Sequence, residues 1–188
     1  MTTTSSKPCS VTIAVLAVVA LSTACNSKET PVSPDFDPNL TRSAAQAQVI
    51  DNLTSSLEPL PAGSYLTRRS AVDPTRMQSA GATVPCDDSN LSENTSVDYN
   101  VRYYLRAAQG QEVETFTDLI NSAWKQRNWA TRTFTTASST NTEVISPTGY
   151  RMILEDGGST VSLVGSSPCF PRPDINDRPD APETIERP

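Results

Sequence analysis

Residues 97–105 run Val97-Asp98-Tyr99-Asn100-Val101-Arg102-Tyr103-Tyr104-Leu105, and this stretch decides the fold. Val97, Tyr99, Val101, Tyr103 and Leu105 take every second position, with Asp98, Asn100, Arg102 and Tyr104 between them. A period of two is that of a β-strand with one face buried and one face solvated.

Downstream, Gly110 ends the strand region. Val113, Phe116, Ile120, Ala123 and Trp124 then mark one face of a helix, with Glu112 and Glu114 early and Lys125 and Arg127 late, as the helix dipole favours. Thr131–Thr136 reads as a strand and the Ser/Thr/Asn-rich run to Thr142 as a turn. Val144–Glu155 reads as a further strand, with a break allowed for at Pro147 and Gly149. Asp156-Gly157-Gly158 is a hairpin signal, and Thr160–Val164 gives the last strand.

Upstream, Asp37-Pro38 reads as an N-cap followed by a first-turn proline. Leu40, Ala44, Ala47, Ile50, Leu53 and Leu57 recur at helical spacing up to Pro59. Residues 60–85, with Pro61, Gly63, Pro74, Gly81 and Pro85, read as irregular connection. The expectation is therefore an α+β domain over residues 37–170. It has an antiparallel sheet of about four strands joined by short turns, and two helices on one face. Residues 171–188 are proline-rich and acidic and read as a disordered tail.

The N-terminus sets the compartment. Lys7 precedes an apolar run from Val11 to Leu21, followed by Ser22-Thr23-Ala24-Cys25. That is the layout of a secretory signal, and the run is shorter than the ~20 residues a membrane span needs. Leu21-Ser22-Thr23-Ala24-Cys25 resembles the lipobox of bacterial lipoproteins, with Ser22 where Leu is more usual. The expected products are a signal peptide over 1–24 and a diacylglyceryl anchor on the Cys25 thiol. Residues 25–36 would be a polar tether, and the location the extracytoplasmic face of the cell membrane. An ordinary signal peptide with a chance cysteine is the competing reading. A two-chain anchor holds a protein durably where a single chain does not.

Four cysteines then resolve by elimination. Cys9 leaves with the signal and Cys25 carries the lipid, so Cys86 and Cys169 remain together in an oxidising compartment and are expected to form a disulfide. It would tie the segment before the first strand to the end of the last. A metal-binding or catalytic thiol pair is the alternative, and it lacks histidine and further thiols nearby.

Gly165-Ser166-Ser167-Pro168-Cys169-Phe170 completes an ordered set of short words. It follows the lipobox, Pro85-Cys86, the Val/Tyr-rich strand, a helix closing in Trp124 and Trp129, and the Gly149-Tyr150 strand. In that order the chain resembles the small mycobacterial and related actinobacterial lipoproteins of the LppA type, over roughly residues 9–170. The resemblance implies an envelope lipoprotein without an assigned reaction, and so brings no catalytic residues. It also implies O-glycosylation around Thr30–Ser33.

Chemistry is bounded mostly by exclusion. The chain has no histidine, which removes a Ser-His-Asp triad, a Cys-His dyad and the usual catalytic zinc sites. No P-loop, dinucleotide fingerprint, EF-hand or Gly-x-Ser-x-Gly elbow is present. The net charge is −6, and removing residues 1–24 takes away one base and no acid, which argues against nucleic acid as a partner. Asp87, Asp88 and Asp156 are the available acids, in positions that read as a polar loop and a turn.

The polar face of the first strand, Asn100, Arg102, Tyr104 and Arg106, mixes cationic and aromatic groups as recognition surfaces do. A plain solvent face is the bland reading. Trp129 is either a cap on the core or a second contact on that surface. The expected function is a non-enzymatic, lipid-anchored envelope protein that binds a partner protein or cell-wall component. It would use no cofactor or metal. A lipid or glycolipid carrier, with a cavity lined by Val101, Phe116, Ile120 and Ile153, is the runner-up. A carboxylate-dependent envelope hydrolase comes third.

Overall fold

The computed structural model describes residues 36–70, 72–86, 95–108, 112–158, 160–174, 176–177 and 180–188, apart from the side chain of Glu114. The signal segment 1–24, Cys25, the tether up to residue 35, Asp87, Asp88, Asn90, Asn94 and Gly110 lie outside them.

The fold is α+β. The elements are α1 (Arg42–Ser56), β1 (Tyr65–Thr67), β2 (Ala82–Pro85), β3 (Ser96–Arg106), a single 3-10 turn at Val113–Thr115, α2 (Phe116–Gln126), β4 (Ala130–Thr135), β5 (Thr140–Ile145), β6 (Arg151–Asp156), β7 (Val161–Ser166), β8 (Phe170–Pro171) and β9 (Thr184–Glu186). All the strand pairings are antiparallel, in the order β4-β5-β6-β7-β3-β1-β9, with β2 and β8 also on β3.

About four strands therefore becomes nine among the described residues. One reason is the turn at Pro147–Gly149. Ser146 N–H donates to Tyr150 O at 2.8 Å and Gly149, at φ +80°, reverses the chain. The Val144–Glu155 stretch thus breaks where a break was allowed for, and β5 begins at Thr140, inside the run expected to be a turn. The segment 60–85 also holds β1 and β2, too short to show a period, where irregular connection was expected.

The C-terminal residues depart furthest from expectation. Instead of a disordered tail, β8 pairs with β3 and β9 pairs with β1. Ala181 and Ile185 are buried in the core. Arg68 holds this segment through its Nε on Pro182 O (3.0 Å), and Tyr103 Oη donates to the same carbonyl at 2.7 Å. Proline and acidic residues face out while two apolar side chains suffice to dock the backbone. The ordered unit thus reaches the C-terminus and does not stop at residue 170.

The odd-numbered residues of β3 enter the core as their alternation requires. They meet Met152 and Leu154 of β6, Leu163 of β7, and both helices in one cluster. α2 buries Phe116, Ile120 and Trp124, and Trp124 Nε1 donates to Ser56 Oγ at 3.0 Å, joining the two helices. α1 starts later than expected. Asp37 N–H is taken by Cys169 O (2.8 Å) and the Asp37 carboxylate accepts from Asn39 N–H, so Thr41 becomes the N-cap. Its buried face is Ala45, Val49 and Leu53, with Ala44 and Ala47 exposed. Alanines on both sides of a helix give the pattern too little contrast to choose between them.

Cys86 and Cys169 form the disulfide, spanning 83 residues. For a loop of that size the chain-entropy model gives roughly 4–5 kcal/mol. Cys86 follows β2 and Cys169 precedes β8, so the bond clamps two segments flanking the same end of β3.

Candidate functional site

Because side chains alternate along a strand, the even-numbered residues of β3 point away from the helices. The register extends each of them into a row across four neighbours. Asn100 leads to Ser166, Arg151, Ile145 and Ala130; Arg102 to Val164, Ile153, Glu143 and Arg132; Tyr104 to Ser162, Glu155, Asn141 and Phe134. This open face is ordered by side-chain pairs. It is exposed at Arg102, Arg132 and Arg151, buried at Asn141, Glu143, Ser162, Val164 and Ser166, and apolar at Ile145, Ile153, Val164 and Phe134.

Glu143 is 4 % exposed and sits between two arginines. Arg132 reaches it through Nε at 2.8 Å and also through Nη2, while Arg151 Nε lies 3.7 Å away. Glu155 accepts from Arg102 Nη2 at 2.9 Å and from Ser162 Oγ at 2.6 Å. Asn100 Nδ2 donates to Ser166 Oγ at 2.7 Å. Two aromatic rings on the face carry a cation: Arg106 lies 5.9 Å from the Tyr104 centroid and Arg132 lies 5.5 Å from that of Phe134. Tyr104 Oη also accepts from Gln78 Nε2 at 3.0 Å. The partly exposed Arg102–Glu155 pair contributes ~0–1 kcal/mol, and around buried Glu143 the attraction is largely offset by desolvation. The greater effect of these pairs is to hold the guanidinium planes in place, ready to donate outward.

Arg102, Tyr104 and Arg106 are thus brought together as expected. Trp129 is not with them. It packs against the core from the side of the helices, with the Arg127 guanidinium 5.6 Å from its ring. Arg132, Glu143, Arg151, Glu155 and Phe134 join the face without having been anticipated. They are reached only through the register, which three hairpin turns set, closed by Thr136–Ser139, Ser146–Tyr150 and Gly157–Thr160.

Of the other candidates, Asp156 sits at the end of β6, where its Oδ1 accepts from Gly158 N–H at 2.9 Å, a turn-forming role. The four residues expected to line a carrier cavity do not share one surface. Val101, Phe116 and Ile120 are packed in the core, whereas Ile153 lies on the open face. A groove of about 300 Å³ lies instead between α1 and the C-terminal segment, lined by Arg42, Ala47, Ile50, Asp180 and Pro182. Among the described residues no three His, Cys, Asp or Glu side chains converge to hold a metal ion. No helix among them is long and apolar enough to cross a membrane.

Two carboxylates have opposite pH behaviour. Burial pushes Asp98, on the open face beside β2, above its ordinary value of 3.8, against the pull of Arg151 and of backbone N–H groups. The Arg42 guanidinium holds the exposed Asp177 below the same value. For Asp98 the unfolded chain loses its proton first as pH rises past 3.8, so the native state loses stability from there upward. For Asp177 the contribution is present above 3.8 and disappears as pH falls through the depressed value. In urea unfolding, Asp98→Asn should therefore be more stable than the parent at pH 7 and Asp177→Asn less stable. Both differences should shrink toward pH 3. Shifts of the same sign at pH 7 would contradict this assignment.

No protein-family model, curated protein or solved structure matches the chain.

Proposed function

We propose that the protein is a lipid-anchored, extracytoplasmic cell-envelope binding module of the kind the LppA-type resemblance implies. The open sheet face would be its recognition surface, and its ligand a hydroxyl-rich or anionic polymer of the cell wall. One observation supports this above others. In a chain of net charge −6, the described residues of this one face balance four guanidinium groups (Arg102, Arg106, Arg132, Arg151) with four carboxylates, Asp98, Glu143, Glu155 and Glu186, a neutral patch on an acidic chain. Two of those carboxylates pin arginines in fixed orientations. Fixed planar donors beside aromatic rings suit sugar hydroxyls and acidic substituents, and a pinned surface loses little entropy on binding. The lipidated Cys25 would keep it within reach of the wall. The carrier reading draws less support, because its expected lining is split between the core and the opposite face.

The test uses the mature chain with Cys25→Ser, which should leave the membrane fraction for the soluble one. Mixed with isolated cell walls, this soluble form should cosediment with them. Arg102→Gln with Arg106→Gln keeps hydrogen-bond donors but removes two charges, and should weaken cosedimentation roughly tenfold, about 1.4 kcal/mol. Retention of Cys25→Ser in the membrane would remove the anchor from the proposal. Undiminished cosedimentation of the double variant would remove the face.

A further inference from the structure

The two edges of the sheet are unlike. β9 is three residues long, lies between Pro182 and Pro188, and is a blunt edge. β4, Ala130-Thr131-Arg132-Thr133-Phe134-Thr135, is six residues of strand-favouring sequence with no proline. It ends the strand order among the described residues, with β5 on one side only. Its single charge, Arg132, is drawn back onto Glu143 of β5.

The turn fixes which backbone groups β4 leaves outward. Thr136 N–H donates to Ser139 O at 2.9 Å, closing the β4–β5 hairpin. In an antiparallel ladder, hydrogen-bonded and non-bonded pairs alternate. Counting from that bond, Phe134, Arg132 and Ala130 turn their amides toward β5, at Asn141, Glu143 and Ile145. Thr131, Thr133 and Thr135 therefore turn N–H and C=O groups away from the sheet.

We propose that two copies of the chain associate edge to edge through β4, antiparallel, with Thr133 on the two-fold axis. This register is the one that serves all three outward residues. Thr133 exchanges two hydrogen bonds with Thr133 of the second copy, and Thr131 and Thr135 exchange two each with their counterparts, six in all by the ladder rule. On the open face it sets Arg132 opposite Phe134 of the second copy, extending the cation–ring contact already present within one chain. On the other face it sets threonine opposite threonine, a favourable cross-strand pair. Moving the axis to Arg132 would place two guanidinium groups opposite each other, which is destabilising. The association is isologous and closes at two copies. It makes one continuous sheet, with the two open faces side by side.

Sedimentation velocity of the mature Cys25→Ser chain over a rising concentration series gives the first reading. The mass should go from one copy toward two. Thr133→Pro removes an outward N–H and leaves the β4–β5 ladder intact, and should weaken the association at least ~tenfold. Thr133→Cys gives the register. Its thiol meets its own symmetry mate at a spacing compatible with a disulfide, so mild oxidation should yield a reducible covalent dimer. Thr131→Cys, which faces position 135, should not. A single copy at every concentration, a dimer indifferent to Thr133→Pro, or equal crosslinking of both cysteine variants would each overturn the proposal.

Discussion

A chain ending at Asp180 should lose on the order of 4 kcal/mol or more of stability, most of what a domain at the low end of the usual ~5–15 kcal/mol range has. The truncation removes Ile185, which is 5 % exposed, and the whole pairing of β9 with β1. Deleting a buried isoleucine side chain alone costs about 2–5 kcal/mol. It also takes away the Pro182 carbonyl that satisfies both Tyr103 Oη and Arg68 Nε. The Tyr103 hydroxyl would exchange that carbonyl for water, a further loss of ~1 kcal/mol. Urea unfolding of the Cys25→Ser form, with and without the last eight residues, reads this directly. Ile185→Asp should reproduce most of the loss in a full-length chain. Unfolding midpoints that coincide would mean that these residues add nothing to the core.

The second large effect is expected at Gly165. A Cβ built there would lie 2.6 Å from Val49 Cγ1, with Met152 Sδ and Leu53 Cδ1 at 3.4 and 3.5 Å. Glycine at this point of β7 is what lets α1 lie against the sheet. Gly165→Ala should therefore destabilise by roughly 1–3 kcal/mol, and Gly165→Leu by more. Val49→Ala should cost ~1–3 kcal/mol by opening a cavity. Combined with Gly165→Ala, however, it removes the colliding methyl groups. The double variant should then be less destabilised than the two single effects added together, by 1 kcal/mol or more. Strict additivity in that cycle would show that α1 can shift to make room, and the close approach would lose its significance.

These two sites also mark where sequence and structure part company. β3 was legible because nine residues keep strict alternation with strong contrast between faces, and α2 because bulky residues occupy its inner face with few alanines. α1 was recognised, but with its start at Asp37 instead of Thr41. Of its expected inner face Leu53 and Leu57 are buried and Leu40 and Ile50 pack against the core. Ala44 and Ala47 are exposed instead, because Ala44, Ala45 and Ala47 carry almost no directional information. β1 and β9 are three residues each, shorter than any window in which a period can show. Their existence depends on a pairing between residues more than a hundred positions apart. The disulfide was readable by elimination, since it needed only a count of thiols. Arg102, Tyr104 and Arg106 could be grouped because one strand sets their spacing. Glu155, the partner of Arg102, and Glu143, the partner of Arg132 and Arg151, come from strands whose register is fixed by the turns at Pro147–Gly149 and Gly157–Gly158, so a one-residue slip in either would have exchanged the faces.

The bridge between Phe36 and Cys169 has a mechanical consequence. With the anchor proposed at Cys25, the protein would be pulled from its N-terminal side whenever the wall and membrane moved apart. Such a pull reaches the fold at Phe36 and Asp37, and the Asp37 N–H···O=C bond hands it to Cys169. From there a covalent bond carries it to Cys86, and the β2 and β8 ladders spread it into β3, the strand bearing the open face. Part of the load would thus reach the central strand of the sheet in parallel with the backbone path into α1. That part of the traction would be shared among many ladder bonds at once, leaving the open face in shape under tension.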